Sequence, residues 1–455
     1  MSFISELQGS KIIVFGAGVT GAPTIAFLNS QGAEVYAVDE NITGLDVHRN
    51  FDAVSLIDFT FAVVSPGWKL DNPLIVQVRK AEIPVISEID LAWRVKKELL
   101  PDQRWIALTG TNGKTTAVQM TEAILVADGQ NAVACGNVGF TAIEAVVNSK
   151  ADVLVLELSS FQLDWSNEAE FEAAAILNIA QDHIDWHKSF ANYAAAKFKI
   201  TKNAKRIILN AMDDEIIARA KNAEHPIIWF SLDTPAPHQI GLVENLVVDR
   251  AFVSNDAEVL FELSDVTPAV PHNILNAMAA SALARSIGAK ADSISSALRG
   301  FKLDHHRLEV VAIKDDITWI DDSKATNPHA AMAALQSQIK SVWIAGGLAK
   351  GATMDELAKK CAKRIKAAIL IGTDAPLIQK ALNEFAPDVP TVMIDSYSNK
   401  TSIEIMRAAV SKAAEFAEKG DVVLLAPACA SMDYFKNYAD RGELFAQAVR
   451  EKIGV

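Results

Sequence analysis

Cysteine is scarce in this chain, with three among 455 residues: Cys135, Cys361 and Cys429, far apart in the sequence. No CxxC pair occurs, which argues against a disulfide framework or a zinc site and suits a reducing compartment. The chain also has no apolar run near the roughly 20 residues of a membrane-spanning helix, and its first residues lack the basic and apolar regions of a signal peptide. We therefore expect a cytoplasmic protein with no membrane partner.

Positive charge is in short supply as well. The chain has 43 Lys and Arg against 56 Asp and Glu, a formal net charge of −13, and no stripe rich in Lys or Arg. Such a field repels nucleic acid, so no nucleic-acid partner is expected. An anionic substrate would need a local pocket of backbone amides and a few placed cations.

Short runs rich in Val and Ile alternate with helical patterns along almost the whole chain. This alternation predicts an α/β protein with βαβ units and mostly parallel sheets. Length and pattern together favour three domains, 1–93, 94–302 and 303–455, of which the outer two are Rossmann-like and the central one is a P-loop-type ATPase domain. Residues 240–264 alternate like a hairpin at a sheet edge, and a helix is predicted to start at Asn72-Pro73.

The stretch KIIVFGAGVTG, residues 11–21, has the glycine spacing of a dinucleotide-binding turn, and Asp39 closes the next strand-like run. In such a turn backbone N–H groups and a helix N-terminus surround a diphosphate. Taken alone, it fits an NAD-linked oxidoreductase or a nucleotide-binding sensor. That interpretation offers no hydride-transfer site in the neighbouring sequence and leaves a second phosphate loop unexplained.

The second loop is TGTNGKTT, residues 109–116, between a strand-like run and an amphipathic helical pattern. Its glycines let amides approach phosphate oxygens, Lys114 can neutralise β and γ phosphate charge, and Thr115 can bind Mg²⁺. Leu108 stands where the common form of this loop has glycine, so the loop is a variant. The residues predicted to bind ATP here are Gly110, Thr111, Asn112, Gly113, Lys114, Thr115 and Thr116.

Two candidate metal ligands follow further strand-like runs: Glu157 ends DVLVLEL, and His183 comes after AAAILNIAQD. The carboxyl ends of parallel strands meet at one sheet edge, so both should lie beside the phosphate loop. Mg²⁺ prefers oxygen ligands and keeps several waters, so one Glu and one Thr suffice for a first site. By itself, His183 fits a loop histidine with local hydrogen bonds equally well.

The phosphate loop, ELSSFQL at 157–163 and residues 178–185 together resemble the Mur ligase family of ATP-dependent peptide-bond-forming enzymes. Further matches, GNVG at 136–139, DSKATN at 322–327 and SMDYFKN at 431–437, favour the member that adds D-glutamate to UDP-N-acetylmuramoyl-L-alanine. The resemblance covers all three predicted domains. Another amino-acid-adding member of the family and a folate-chain elongase remain alternatives.

The resemblance implies the use of ATP and Mg²⁺, and we expect a monomer. ATP would phosphorylate the carboxylate of the L-alanyl tail, and the amine of D-glutamate would then displace phosphate. The N-terminal glycine turn would hold the uridine diphosphate tail, with residues 39–41 near the uracil and ribose and 65–67 as a second contact loop. The basic residue expected near position 41 is missing from Asp39-Glu40-Asn41. The residues implied for the precursor are Gly18, Val19, Thr20, Asn137 and Ser159.

The same resemblance implies the remaining site residues. The catalytic residues would be Lys114, His183 and Lys197. Lys197 lies where the family carries a carbamylated lysine, which would give a second Mg²⁺ an oxygen ligand beside His183; a solvated lysine is the alternative. The metal ligands would be Thr115, Glu157, His183 and carbamylated Lys197. Further ATP contacts would be Asn273, Arg307, Asp322 and Lys324. Asn273 would pair with adenine, cap a helix, or do both.

The resemblance also implies a D-glutamate pocket in the third domain. Its residues would be Thr326, Lys350, Ser431, Met432 and Tyr438. Ser431 and the amide of Met432 are expected at a helix start, ready to bind a carboxylate.

Overall fold

The structure, a computed structural model, describes residues 2–42, 44, 46–52, 54–221, 226–253, 256–394 and 400–454. These residues contain three β-sheets and divide into two compact units. The first unit comprises Met1–Ile179, Ala191–Ala269 and Asn273–Phe301; the second comprises Ala180–Phe190, Val270–His272 and Lys302–Val455. Among the described helices, none has both the length and the apolar character needed to cross a bilayer.

The first sheet has five parallel strands in the order β3-β2-β1-β4-β5. The strands are β1 Lys11–Phe15, β2 Glu34–Val38, β3 Val47–His48, β4 Phe59–Val64 and β5 Val85–Ser87. The helices are α1 Phe3–Leu7, α2 Gly21–Ser30, α3 Pro73–Lys80 and α4 Glu88–Leu99. The predicted start of α3 is confirmed, because the Asn72 side chain accepts the Leu74 N–H at 2.9 Å and Pro73 is the first helical residue.

The second sheet has nine strands in the order β14-β13-β12-β11-β10-β9-β6-β8-β7. The strands are β6 Arg104–Thr109, β7 Ala132–Gly136, β8 Val153–Glu157, β9 Ala173–Ile176, β10 Ile207–Asn210, β11 Ile227–Phe230, β12 Gln239–Val243, β13 Leu246–Asp249 and β14 Glu258–Glu262. The last three are antiparallel neighbours at one edge, so the hairpin predicted over 240–264 is confirmed. The helices are α5 Lys114–Ala127, α6 Ala142–Asn148, α7 Ser160–Trp165, α8 Ile184–His187, α9 Phe190–Phe198, α10 Asp214–Ala220, α11 Pro271–Ser286 and α12 Ala291–Gly300.

The third sheet has six strands in the order β15-β16-β20-β17-β18-β19, and only β15 runs antiparallel to its neighbour. The strands are β15 Glu309–Lys314, β16 Ile317–Asp321, β17 Ser341–Gly346, β18 Ile365–Ile371, β19 Thr391–Met393 and β20 Val422–Leu425. The helices are α13 Pro328–Gln336, α14 Asp355–Cys361, α15 Ala375–Phe385, α16 Ser402–Phe416 and α17 Tyr438–Ile453. Short 3₁₀ turns cover Leu56–Asp58, Lys199–Thr201, Leu263–Asp265 and Ala362–Arg364.

The predicted α/β class is confirmed, and each sheet has its own apolar core. The second compact unit resumes at Lys302, beside the predicted boundary. The boundary near residue 93 falls inside the continuous helix α4, so the division between the first two domains stays a prediction. In the central sheet, β6 lies between β8 and β9, and the loops that follow these three strands build the site described next.

Candidate active site

The phosphate loop joins β6 to α5 and is shaped by glycine. Gly113 has φ +80°, and a Cβ there would come within 2.3 Å of the Asn276 Oδ1. A side chain at this position would therefore have to displace the side-chain amide of Asn276, which lies on α11, and would strain the backbone at this positive φ. Lys114 begins α5 and donates from Nζ to the carbonyls of Gly110 at 2.9 Å and Thr111 at 3.0 Å. The lysine charge thus lies over the loop in which phosphate oxygens would be bound.

Neighbouring elements hold this loop in place. Asn178, just after β9, accepts the Asn112 N–H at 2.8 Å and donates to the Asn112 carbonyl at 3.0 Å. Thr111 and Tyr193 share a hydroxyl hydrogen bond of 2.9 Å. Thr115 is half-buried on the first turn of α5, whereas Thr116 is buried in the protein. The loop is therefore pre-organised for an anion.

Glu157 ends β8 and is 1% exposed. Its Oε1 accepts the side-chain amide of Asn137 at 2.8 Å, and its carbonyl accepts the Asn137 N–H at 2.8 Å. Its Oε2 is buried and has no hydrogen-bond partner among the residues that the structure describes. A buried carboxylate oxygen without a partner is costly, and a cation would remove that cost. Glu157 therefore fits the role of a Mg²⁺ ligand.

Lys197 lies under the phosphate loop and is 1% exposed, so the alternative of a solvated lysine is wrong. Its Nζ donates to the Gly110 carbonyl at 2.6 Å and lies 4.7 Å from the ring centre of Tyr193. Helix α9 supplies both side chains, four residues apart, on one face. Sequence reasoning missed Tyr193, whose contact with Thr111 joins elements that are distant in sequence.

His183 belongs to the second compact unit, whereas Thr115, Glu157 and Lys197 belong to the first. It has φ +53°, and its Nε2 lies 3.6 Å from the Asp182 carboxylate. The same carboxylate accepts from the Asn327 amide at 3.4 Å, within that unit. A metal site that joins His183 to the other three residues stays a prediction.

A cavity of about 760 Å³ lies at the carboxyl edge of the first sheet, within the usual size range of ligand pockets. It brings together the predicted contacts Gly18, Val19, Thr20, Asp39, Glu40, Asn41, Ser65, Pro66 and Gly67. The lining residues that were not predicted as contacts include Trp68, Lys69 and Asp71. Lys69 is exposed and adds positive charge to this lining, and Arg49 donates from Nη1 to the Asp39 carbonyl at 2.9 Å.

Asp39 is committed to the backbone. One carboxylate oxygen accepts the Ala17 N–H and the other accepts the N–H groups of Asn41 and Ile42, each at 2.8 Å. Burial works against the charged form, but these donors and Arg49 lower the pKa of Asp39 below its usual value. Asp39 therefore shapes the loop at the edge of this cavity.

In the second unit, three loops meet around the start of α17. Burial raises the pKa of Asp322 to about 7, and it accepts the Leu308 N–H at 3.2 Å. Arg307 lies close enough to lower that pKa in part. Lys324 places its Nζ 3.8 Å from the ring centre of Tyr438. Residues predicted for ATP and for D-glutamate are thus neighbours here.

The remaining D-glutamate candidates lie on two paired loops. Leu348 and Ala430 exchange backbone hydrogen bonds of 2.8 and 2.9 Å, which brings the Lys350 loop beside Ser431. Lys350 and Met432 are exposed, Thr326 is half-buried and Ser431 is buried. Ser431 is not at a helix start, and that prediction is wrong: α17 begins at Tyr438, where Asn437 caps it by accepting the Asp440 N–H at 2.9 Å.

One further prediction needs correction. Asn273 is not a helix cap, because α11 begins at Pro271 and Asn273 is its third residue, 2% exposed. Its amide nitrogen donates to the Pro268 carbonyl at 3.0 Å, so its contact with adenine stays a prediction. Asn276, one turn further, is the residue that faces the phosphate loop at Gly113.

Comparison with known proteins agrees with this geometry. Residues 108–284 match the Mur ligase middle domain, and residues 306–429 match the Mur ligase glutamate ligase domain. The chain belongs to the Mur ligase family. It is 43% identical to the UDP-N-acetylmuramoylalanine--D-glutamate ligase of Thermobifida fusca over 99% of this chain and 100% of that protein. Identity to the enzyme of the same name from Streptomyces avermitilis is 45% over 98% of this chain and 99% of that protein.

Among solved structures, a pseudomurein peptide ligase type C from Methanothermus fervidus shares the fold of this Mur ligase with a TM-score of 0.61. Identity is 19%, and the match covers 98% of this chain and 100% of that chain. The three sheets described above therefore correspond to the three-domain Mur ligase fold.

Arg441 is a residue of this Mur ligase that sequence reasoning missed. It is 0% exposed and donates from Nε to the Ser323 Oγ at 3.0 Å, from Nη2 to the Ser323 carbonyl at 2.9 Å and from Nη1 to the Cys429 carbonyl at 3.1 Å. One guanidinium thus joins the DSKATN loop to the loop that carries Ser431. Nothing in the sequence around Arg441 predicts that its side chain is buried and joins two loops.

Proposed function

We propose that this protein is an ATP-dependent ligase that adds D-glutamate to UDP-N-acetylmuramoyl-L-alanine in the synthesis of the peptidoglycan precursor. One observation carries the proposal: the first compact unit contains two glycine-containing turns that suit phosphate binding and that differ in the residues around them. The turn after β6 carries Lys114 and lies beside Glu157, which ends the adjacent strand β8 and has a buried carboxylate oxygen without a hydrogen-bond partner among the described residues. The turn after β1 lines a large cavity. The turn after β6 suits phosphoryl transfer. The turn after β1 suits the binding of a diphosphate that takes no part in the reaction and only anchors the precursor.

The first step transfers the γ-phosphoryl group of ATP to the carboxylate of the L-alanyl tail, and ADP leaves. Lys114 and the loop amides would neutralise and orient the phosphates, which is most of what phosphoryl transfer requires from a protein. Thr115 and Glu157 would hold Mg²⁺, which when bound supplies further positive charge against the phosphates. Asn137 fixes the Glu157 carboxylate by its hydrogen bond to Oε1.

The second step forms the peptide bond. The amine of D-glutamate attacks the acyl phosphate, the carbon–nitrogen bond forms, and phosphate leaves as the amine loses a proton. Lys350, Ser431 and Thr326 are the groups that would hold the two carboxylates of D-glutamate, and Lys324 and Tyr438 would border them. The free thiols and the use of ATP favour action in the cytoplasm.

The proposal is tested by phosphate release with UDP-N-acetylmuramoyl-L-alanine, ATP, Mg²⁺ and either enantiomer of glutamate. We expect release of one phosphate per peptide bond with D-glutamate and none above background with the L enantiomer. Turnover with another amino acid in its place would favour a different member of the family. Release that depends on a folate acceptor would favour the chain elongase. Binding of NAD in the first cavity, without ATP turnover, would favour the oxidoreductase or sensor interpretation.

A further inference from the structure

Helix α7 runs from the active-site loop into the core of the N-terminal sheet. Its cap, Ser159, follows Glu157 by two residues and accepts the Gln162 N–H at 3.2 Å, while the Gln162 side chain accepts the Ser159 N–H at 2.9 Å. Its last residue, Trp165, is 2% exposed and packs in the apolar cluster that contains Phe15 and Val78. Six residues of helix span about 9 Å, and α7 is held at its N-terminus by a capping box. This short helix therefore joins the loop after Glu157 to the core of the N-terminal sheet.

Trp165 contacts a residue that lines the cavity at the edge of the first sheet. Its Nε1 donates to the carbonyl of Trp68 at 2.9 Å, and Trp68 lines the cavity. The Arg79 guanidinium lies 5.1 Å from the indole ring centre, a distance typical of a cation–π contact. The Ser65–Trp68 loop, which faces the diphosphate, is thus hydrogen-bonded to the end of a helix whose other end is Ser159.

The residues after Trp165 hold the end of α7 against the N-terminal domain. Ser166 and Ser87 share a hydroxyl hydrogen bond of 3.0 Å. Asp90, 1% exposed on α4, accepts the Glu168 N–H at 2.9 Å and the Asn167 N–H at 3.1 Å. The C-terminal end of α7 is therefore bonded to the N-terminal sheet and α4, while the segment before its cap is bonded to the central sheet through the Leu158 N–H, which donates to the Leu108 carbonyl at 2.9 Å.

We propose that Trp165 is a positioning residue that couples occupation of the diphosphate cavity to the placement of Ser159 and Glu157 at the ATP site. The inference rests on the proposed function, since it takes the cavity to hold the diphosphate of the precursor. When the Ser65–Trp68 loop closes on a diphosphate, its hydrogen bond to Trp165 would transmit that ordering along α7. Binding of the precursor diphosphate in the cavity would then favour binding of the nucleotide at the phosphate loop. By thermodynamic linkage, the nucleotide would favour binding of the diphosphate by the same factor.

The test uses the full-length protein and two probes, UDP for the cavity and Mg²⁺–ADP for the phosphate loop. Titration calorimetry gives the Kd of each probe with and without saturating amounts of the other. We expect saturating UDP to tighten ADP binding about tenfold in the wild type, a common size for coupled sites. Trp165→Phe keeps an aromatic ring but loses the N–H donor. It should bind UDP within about twofold of the wild type and lose most of this coupling.

Trp343→Phe is the matched control. Trp343 is 0% exposed, and its Nε1 donates to the Ala426 carbonyl at 2.7 Å, but it lies in the C-terminal sheet. It should lose similar thermal stability and keep the coupling. Arg79→Gln, at an exposed helix position where folding is not at risk, should weaken the coupling by a smaller factor.

Full coupling in Trp165→Phe would overturn the inference, as would a wild type that binds both probes independently. If Trp165→Phe does not fold, Arg79→Gln decides, and unchanged coupling in that variant overturns the inference. A wild type that binds no UDP would refute the assignment of the cavity to the diphosphate and this inference with it, whereas the proposed function is decided separately by phosphate release. In turnover, the variant should lose about tenfold in kcat, because the acyl group and the phosphate are misaligned, with a smaller change in the KM of the precursor.

Discussion

Asn137 and Glu157 are joined twice, from the Asn137 N–H to the Glu157 carbonyl and from the Asn137 amide to Oε1, both at 2.8 Å. This hydrogen bond fixes the orientation of the Glu157 carboxylate. In that orientation Oε2 has no hydrogen-bond partner in the described part of the chain. Asn137 is therefore placed to orient Glu157, the proposed metal ligand, in addition to the precursor contact that the family resemblance implies.

Asn137→Ala should lower the apparent affinity for Mg²⁺ about tenfold to a hundredfold, because the carboxylate loses the donor that holds it. Phosphate release measured against Mg²⁺ concentration checks this. Asn131→Ala, which removes an amide that bonds an exposed loop carbonyl, is the control. An unchanged Mg²⁺ dependence with a raised KM for the precursor would assign Asn137 to the precursor alone.

Substitutions of Lys114 and Lys69 test whether ATP is used at the loop after β6 while the diphosphate is bound separately in the cavity. Lys114→Ala should reduce phosphate release by about 10²- to 10³-fold, the usual loss when one charge-stabilising group is removed. Its affinity for UDP should stay unchanged. Lys69→Ala should do the opposite, weakening UDP binding while leaving the Kd of ADP as it is. Loss of both affinities in either variant, measured by calorimetry, would contradict this separation.

Carbamylation of Lys197 is testable without turnover. The buried amine lies 2.6 Å from the Gly110 carbonyl, where an added carbamate oxygen could reach a metal beside the phosphate loop. Protein equilibrated with ¹³C-bicarbonate and Mg²⁺ should show a carbamate carbon resonance that disappears in Lys197→Arg. Lys199→Arg, which changes a half-buried lysine two residues away, should retain it. A wild type without the resonance would leave the second metal without this ligand.

Local patterns were enough to predict much of the fold. The Val- and Ile-rich runs marked the parallel strands, and the rule that parallel strands end at one sheet edge predicted Glu157 near the phosphate loop. The structure pairs β8 with β6, with Glu157 opposite Leu108. Asn72 before Pro73 was also sufficient to predict the start of α3. Each of these signals lies within a few residues of the structure that it predicts.

The remainder depends on contacts between distant segments. Ser431 and Asn437 are both residue types that cap helices, and local propensity could not choose between them. Asn437 caps α17, while Ser431 is held in a turn where its carbonyl accepts the Phe435 N–H at 3.0 Å. Tyr193, Asn276 and Arg441 contact loops that lie tens of residues or more away, and no periodic pattern marks such pairs.

Arg441→Met should destabilise the protein by about 3 kcal/mol, since it leaves buried carbonyls without donors and removes hydrogen bonds from a charged group. The KM for D-glutamate should rise as the loops of Ser323 and Cys429 separate. Arg441→Lys keeps the charge without the planar fork and should be intermediate. Arg450→Met, exposed on the same helix, is the control for denaturant unfolding. A raised KM in that control would show that the loops are not the cause.

Glu88 makes the first compact unit sensitive to pH. It is 3% exposed, and its Oε1 accepts the Ile143 N–H at 2.7 Å near the start of α6. Burial, with smaller contributions from the carboxylates of Glu144 and Asp90, raises the pKa of Glu88 from 4.5 to about 7. The folded protein therefore binds this proton more tightly than the unfolded chain, and the free energy of unfolding falls as pH rises from about 4.5 to about 7.

Glu88→Gln keeps the acceptor for Ile143 and removes the titration. Relative to the wild type, it should gain about 2 kcal/mol more stability at pH 8.0 than at pH 5.5, since the wild type loses that amount over this interval. Denaturant unfolding at both pH values measures the difference. Glu6→Gln, which removes an exposed carboxylate in the same unit, controls for the change in net charge. Equal gains at the two pH values would mean that Glu88 does not titrate between them and that its carboxylate is charged in the folded protein throughout.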